Sequence, residues 1–310
     1  MRLIRFAAAD GEPRAGILSH AGDEGPATVT PLRAPGPRSL AELLALPLAD
    51  IRRICASADG EGGRGPHARP AAGVQLLAPA DGRMEVWAAG VTYERSRTAR
   101  MAESERSADV YDQVYAADRP ELFFKSAAWR VSGPGAPVSI RADSTIDVPE
   151  PELAVVLNAA GTVVGYTICN DMSSRSIEGH NPLYLPQAKT YAGSCAVGPW
   201  IAPAWEIPDP YALTIELTIG RDGGVAWEGN ASTASLHRKI DELAAWLFRE
   251  NEFPAGVILS TGTSLVPELP FTLRAGDEVR ITISGIDGAL VNPVVQGKAA
   301  LQKARAGERC

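Results

Sequence analysis

Seven short runs rich in Val, Ile, Thr and aromatic residues set the fold class of this chain before any motif does. They are EVWAAGV (85–91), LFFK (122–125), ELAVVL (152–157), VVGYTI (163–168), YALTIELTIG (211–220), GVILSTG (256–262) and EVRITISGI (278–286). Each is bounded by Gly, Pro or Asp, the pattern of strands separated by turns. Two helical patterns interrupt them. One covers 94–117 and is polar, with many Arg and Glu; the other covers Ser235–Arg249, with Leu236, Ile240, Leu243 and Leu247 on one face. Strands and helices do not alternate as in a doubly wound sheet, so the pattern predicts a β-rich α+β fold.

Residues 1–75 read differently and are expected to form a small N-terminal α/β domain. Strand patterns cover Met1–Ala7 and Ala15–Ser19, and a helix is predicted over Ser39–Cys55 with Ser39 as its cap. The following SADGEGGRGPHARPAAG (57–73) reads as a linker. A second domain is expected over 76–310.

The chain shows no apolar leader and no run of about 18 apolar residues, so neither export nor membrane spanning is expected and the cytoplasm is the expected location. A net charge of −7 and a pI near 5.3 argue against a general nucleic-acid binder, which carries a basic face. Cys55, Cys169, Cys195 and Cys310 form no C-x-x-C pair, and His20, His67, His180 and His237 have no metal-ligand spacing.

The stretch VPEPELAVVL (148–157) places two acids, Glu150 and Glu152, between prolines at the head of an apolar run. Pro149 and Pro151 fix φ and push the preceding residues to extended geometry, which excludes a helix. With a side-chain period of two, both carboxylates project to one side with Cα atoms roughly 7 Å apart. Anions so placed repel unless a positive charge lies between them, and a hard divalent cation with oxygen preference suits the gap. An isolated E-x-E is ordinarily a solvated strand start. A second segment, GYTICNDMSSRSIEGHNPLYLPQAKTYAGSCAVGPW (165–200), changes the balance: it carries Asp171 near its start and Lys189 near its end. It reads as a long functional loop, too rich in Tyr, Ile and Trp to be disordered.

The ordered set PEPELAVVLN, GYTICNDMSSRSIEG, K-x-Y-x-G, GPW, PAGVILSTGTS and LRAGDEVRITISGIDGALVNPV resembles the fumarylacetoacetate hydrolase superfamily over roughly 85–295. The resemblance implies a mixed β-sheet roll or barrel, a divalent metal held by Glu150, Glu152 and Asp171, and Lys189 and Thr263 facing the substrate. It implies a homo-dimer or homo-tetramer. Mg²⁺ is the expected ion; Mn²⁺ and Ca²⁺ also suit an all-oxygen site. The C–C hydrolases of the superfamily carry N-Y-x-x-H-x-x-E, whose His–Glu pair activates water. Here the segment reads GVTYERSRTARMAES (90–104), with Ser96 and Ala99 at those two positions. Neither can serve as a base.

GVTYxRS, VYDxVYxAxRPExFFK, VPEPE and IEGxNPLYLPQAK are similar to the 2-keto-3-deoxy-pentonate dehydratase branch, with His180 standing where that branch is expected to carry an acid. The resemblance implies a hydro-lyase acting on a small sugar acid to give 2,5-dioxopentanoate. Lys189, its pKa depressed beside the cation, is the expected base. Glu121, heading a buried-looking strand, is the expected acid. Thr92, Tyr93, Arg95, Arg97, Thr263 and Ser264 are candidate substrate contacts. Lys125 and Arg175 read as structural, Glu178 and His180 as residues of the mouth, and Trp87, Trp129 and Trp246 as core. The competing readings are a C–C hydrolase or decarboxylase of acylpyruvate or oxaloacetate type, and a binding protein without turnover. The missing His–Glu pair weighs against the first, and the complete set of acids with Lys189 against the second.

Overall fold

The computed structural model describes residues 1–19, 27–60, 67–94 and 113–307. The first quarter of the chain gives β1 (Arg2–Ala7), β2 (Pro13–Ser19), β3 (Thr28–Pro31), β4 (Arg69–Pro70) and β5 (Gln75–Leu77). Next come β6 (Glu85–Gly90), β7 (Glu121–Ala127), β8 (Val138–Ile140), β9 (Asp147–Val148), β10 (Pro151–Leu157), β11 (Val163–Asp171), β12 (Ser173–Ser174) and β13 (Cys195–Pro203). β14 (Thr214–Arg221), β15 (Gly224–Ser232), β16 (Val257–Ser260), β17 (Glu278–Ile283) and β18 (Ala289–Gln296) complete the strands. With 38% strand and 22% helix the molecule is sheet-rich, as the sequence predicts.

One large sheet runs β4-β3-β2-β1-β13-β11-β10-β16-β6-β7, with β5 pairing on β1. A second runs β15-β14-β17-β18-β8, and β9 pairs with β12. Both large sheets are mixed: β16–β6 and β18–β8 are parallel, and the other pairs are antiparallel. β10 lies between β11 and β16, and every residue of it is buried.

The alternation along β10 shows why. Leu153, Val155 and Leu157 enter a core shared with Ile215, Leu217 and Ile219 of β14, Ile281 of β17 and the helix Ile240–Leu247. Ala154 and Val156 face the opposite way, into a core covered by Leu40, Leu43, Leu44 and Ile51. A strand buried on both faces reads as a continuous apolar run, as ELAVVL does. A third cluster, Ile4, Phe6, Ala8, Leu18 and Val29, belongs to the N-terminal strands.

Three local readings need correction. The helix predicted over Ser39–Cys55 is two helices, Leu40–Leu44 and Leu48–Asp59, because Pro47 lacks the amide needed to continue the first. Ser39 does cap the first, its hydroxyl accepting from the Glu42 amide at 3.1 Å. The segment 165–200 is not a long loop. It holds most of β11, the helices Arg175–His180 and Leu185–Lys189, and the start of β13. Trp129 is not core but 77% exposed. Of the helix read over 94–117, residues 95–112 lie outside the described residues.

The packing makes one direct prediction. Leu259 of β16 is fully buried in the first core. Leu259→Ala should lower the unfolding free energy by about 2–5 kcal/mol in urea denaturation, and a loss below about 1 kcal/mol would contradict the packing described.

Candidate metal centre and active-site cavity

Strand geometry brings the acids together. Glu150 precedes β10, Glu152 is its second residue, and Asp171 ends β11, its neighbour. The Asp171 amide donates to the Glu150 carbonyl at 2.9 Å, which locks the two strand ends. Glu150, Glu152 and Asp171 are each at most 2% exposed, and one oxygen of each lies within 4.8 Å of the others. Three buried anions this close need compensation.

Part of it is built in. The Lys189 ammonium, at the end of the helix Leu185–Lys189, donates to Glu150 Oε2 at 2.7 Å, Asp171 Oδ2 at 3.0 Å and Ser173 Oγ at 2.6 Å. Arg175 approaches Glu150 Oε1 from the other side at 3.0 Å. Lys125 of β7 is fully buried, pairs with Asp171 Oδ1, and donates to the carbonyls of Met172 and Lys189. One lysine thereby holds the carboxylate of Asp171 and the backbone of Lys189.

Glu152 is held otherwise. Its Oε2 accepts from Ser260 Oγ at 2.6 Å and from the Gly262 amide at 2.8 Å. Burial, reinforced by the charge of Asp171, pushes its carboxyl well above the usual carboxylate range. An all-oxygen set in which one member resists ionisation is the setting a divalent cation relieves, so the residues fit a hard cation such as Mg²⁺. Gly262 makes this arrangement possible. Its φ is +91°, and a Cβ there would lie 2.0 Å from Thr92 Oγ1.

A cavity opens onto the triad. Its wall includes Val91, Glu121, Phe123, Glu178, Leu185 and Thr263. Glu121 is half-buried and folds over Gly90, where a Cβ would meet its Oε2 at 2.0 Å. Val91 holds φ at 52°, a costly conformation for a β-branched residue, at the cavity wall.

The structure thus gathers Glu150, Glu152, Asp171, Lys189, Glu121 and Thr263 around one cavity. Thr263 Oγ1 is engaged with the Pro151 carbonyl at 3.0 Å. Thr92 lies behind Gly262 rather than on the wall, its hydroxyl donating to the Thr261 carbonyl at 2.6 Å. Tyr93 is 1% exposed and its phenol is pushed up by burial. Ser264 is buried off the wall. Arg95 and Arg97, with Ser96 and Ala99, lie outside the described residues. His180 is exposed and packs edge-on against Tyr184. Sequence reading missed Ser173, Ser260, Phe123 and the clamping role of Lys125. The one available signal was a lysine at the end of an apolar strand run.

Fold and site together define the class. The chain belongs to the fumarylacetoacetate hydrolase family, whose C-terminal region it matches over residues 85–295. Its relatives are more specific. It is 51% identical over 210 residues to a probable 2-keto-3-deoxyxylonate dehydratase of Haloferax volcanii, covering 68% of this chain and 72% of that one. It is 47% identical over 213 residues to the 2-dehydro-3-deoxy-D-arabinonate dehydratase of Saccharolobus solfataricus, covering 68% and 71%. A hexagonal crystal form of 2-keto-3-deoxyarabinonate dehydratase superposes with a TM-score of 0.81 at 36% identity, over 96% of this chain and 100% of that one. A 2-keto-3-deoxy-D-arabinonate dehydratase complexed with magnesium and 2,5-dioxopentanoate gives 0.79 at 34%, with the same coverage. Among the described residues no helix is long and apolar enough to cross a membrane.

Two predictions follow from the geometry. Gly262→Ala should weaken Mg²⁺ binding at least tenfold by calorimetry, because the methyl displaces Thr92 or the amide that holds Glu152; unchanged affinity would contradict that role. Asp147, buried on β9, has its carboxyl pushed up to about 6, chiefly by burial. A folded pKa above the unfolded one means that ionisation costs folding energy, so stability should fall as pH rises from about 4 through about 6. A rise from 3.8 to about 6 is worth roughly 3 kcal/mol unscreened and about 1–2 kcal/mol after solvent screening. Asp147→Asn should remove that slope in urea denaturation at pH 4 and pH 7.5.

Proposed function

We propose that this protein is a Mg²⁺-dependent hydro-lyase that removes water from a 2-keto-3-deoxy-pentonate to give 2,5-dioxopentanoate. The observation that carries this reading is the buried triad Glu150, Glu152 and Asp171 with Lys189 on its rim, in a chain whose relatives at 47% and 51% identity are named as dehydratases of such acids. The three carboxylates would hold the ion. When bound, it would supply Lewis-acid polarisation of a 2-keto acid and stabilise charge on the ketone oxygen.

The chain's own groups do the proton work. Lys189 would serve, in its neutral amine form, as the base that takes a proton from C3. Glu121 gives its proton to the C4 hydroxyl, which leaves as water as the C3–C4 double bond forms. Isomerisation then moves a hydrogen from C5 back to C3 as a proton, and the resulting enol becomes the terminal aldehyde. No water is used as a nucleophile, so Ser96 and Ala99 in place of a His–Glu pair cost the reaction nothing. Thr263, on the wall, is the candidate substrate contact among the described residues in this reading, with Arg95 and Arg97 as candidates outside them. Cytoplasmic location belongs to it on the scattered cysteines and the lack of a long apolar run, and a homo-dimer or homo-tetramer on the family resemblance alone. A division near residue 75 belongs to it on the Gly-, Pro- and Ala-rich stretch at 57–73, although β1 pairs with β13 and the N-terminal residues share a core with β10 and β16.

Racemic 2-keto-3-deoxy-pentonate with Mg²⁺ should lose one water and yield a trappable aldehyde. EDTA and Glu150→Ala should each reduce the rate at least 10³-fold, the scale of losing essential metal catalysis. Formation of pyruvate and a two-carbon aldehyde would overturn the reading in favour of C–C cleavage.

A further inference from the structure

Gly90 and Glu121 form the last rung of the β6–β7 ladder. Residues directly opposite in an antiparallel pair project to the same face, so a side chain at position 90 would share the space into which Glu121 points. Both residues line the cavity, as does Phe123, two residues on along β7 and so on the same face. Leu122, between them, faces the other way and packs against the first core. We propose that Gly90 is a positioning residue: its bare backbone is the surface on which the Glu121 carboxyl lies, and position 90 is glycine for that reason rather than for the shape of the chain. The proposal rests on the reading above in which Glu121 is the proton donor.

Two observations separate these reasons. Gly90 does not hold a left-handed φ, unlike Gly256 at +71° and Gly262 at +91°, so alanine would meet no backbone strain there. The three atoms nearest a Cβ at position 90 are Oε2, Cδ and Cγ of Glu121, at 2.0, 2.6 and 3.3 Å. Elsewhere the obstacle is backbone: a Cβ at Gly165 would meet the Ala202 carbonyl oxygen at 2.4 Å, and one at Gly133 the Ala78 amide nitrogen at 2.4 Å. Those glycines let two stretches of chain pack together. At Gly90 the obstacle is the far end of a flexible side chain, which can swing aside at little cost to the fold. What swings is the proposed acid, and displacing a reacting group by an ångström is enough to slow a reaction roughly 10²-fold.

The test compares Gly90→Ala, Glu121→Asp and the double variant Gly90→Ala/Glu121→Asp in the full-length protein with Mg²⁺. In the double variant the aspartate carboxyl carbon takes the place of the Glu121 Cγ, 3.3 Å from the added methyl. Gly90→Ala should bind Mg²⁺ within about threefold of wild type by calorimetry, because the triad is untouched, while kcat for pentonate dehydration falls at least about 10²-fold at nearly constant KM. Its crystal structure should show the Glu121 carboxyl moved off β6. Glu121→Asp should slow the wild-type protein but speed Gly90→Ala at least about fivefold, whereas independent effects would give a loss in both backgrounds. A kcat within threefold of wild type in Gly90→Ala, or a Glu121 carboxyl that stays in place, would overturn the proposal. Should Gly90→Ala fail to fold, the double variant, relieved of the clash, should fold; failure of both would overturn it as well. Wild-type turnover separates this proposal from the one it rests on. A displaced carboxyl in Gly90→Ala without dehydration by the wild type would sustain the hold of Gly90 on Glu121 and sink the dehydratase reading; dehydration with the carboxyl unmoved would do the reverse.

Discussion

Three carboxylates buried within 4.8 Å of one another are the constraint on which the rest of this site depends. Left alone they repel strongly, and nothing apolar can compensate them. The surroundings divide the task. Lys189, Arg175 and Lys125 take the charges of Glu150 and Asp171, while Glu152 accepts from a serine hydroxyl and a backbone amide. Among the described residues no cationic side chain pairs with Glu152, and that asymmetry is what a metal ion would answer.

The sheet makes such a cluster tolerable. β10 is flanked by strands on both edges and by apolar cores on both faces, so its end is a rigid platform. The acids project where that platform stops and where β11, β12 and the two short helices converge. Backbone ties such as the Asp171 amide to the Glu150 carbonyl fix their spacing without using the side chains. A left-handed glycine at 262 and a left-handed valine at 91 border the same cavity, and both occupy conformations that ordinary side chains avoid.

The family fold is shared by enzymes of different chemistry, so reaction type has to be argued from the residues on the wall. Here Ser96 and Ala99 stand where the resemblance places the hydrolases' His–Glu pair, whereas the three acids and the adjoining lysine are present. In the proposed reading, that combination would retain the means to polarise a 2-keto acid and to move its α proton, without the means to attack it with water. Elimination needs only the first two.

The sequence by itself determined the β-rich class, most strand positions, the acids of the triad and Lys189. It could do so because prolines exclude helix at 149–151 and because β10 alternates between two apolar cores, leaving an unbroken apolar run in the text. The tertiary structure decided what surrounds those acids. Lys125, Ser173, Ser260 and Gly262 are spread over 137 positions of chain, and no local pattern links a lysine in β7 to an aspartate at the end of β11. The apparent loop at 165–200 resolved into strands and short helices because its first end forms a hairpin with β10, the strand just before it, and its second end pairs with β11 and with β1 at the far end of the chain. Trp129 read as core because aromatic character predicts burial on average, yet its short helical turn leaves the ring in solvent. Charge compensation is a property of distances in space, and a sequence lists the charges without the distances.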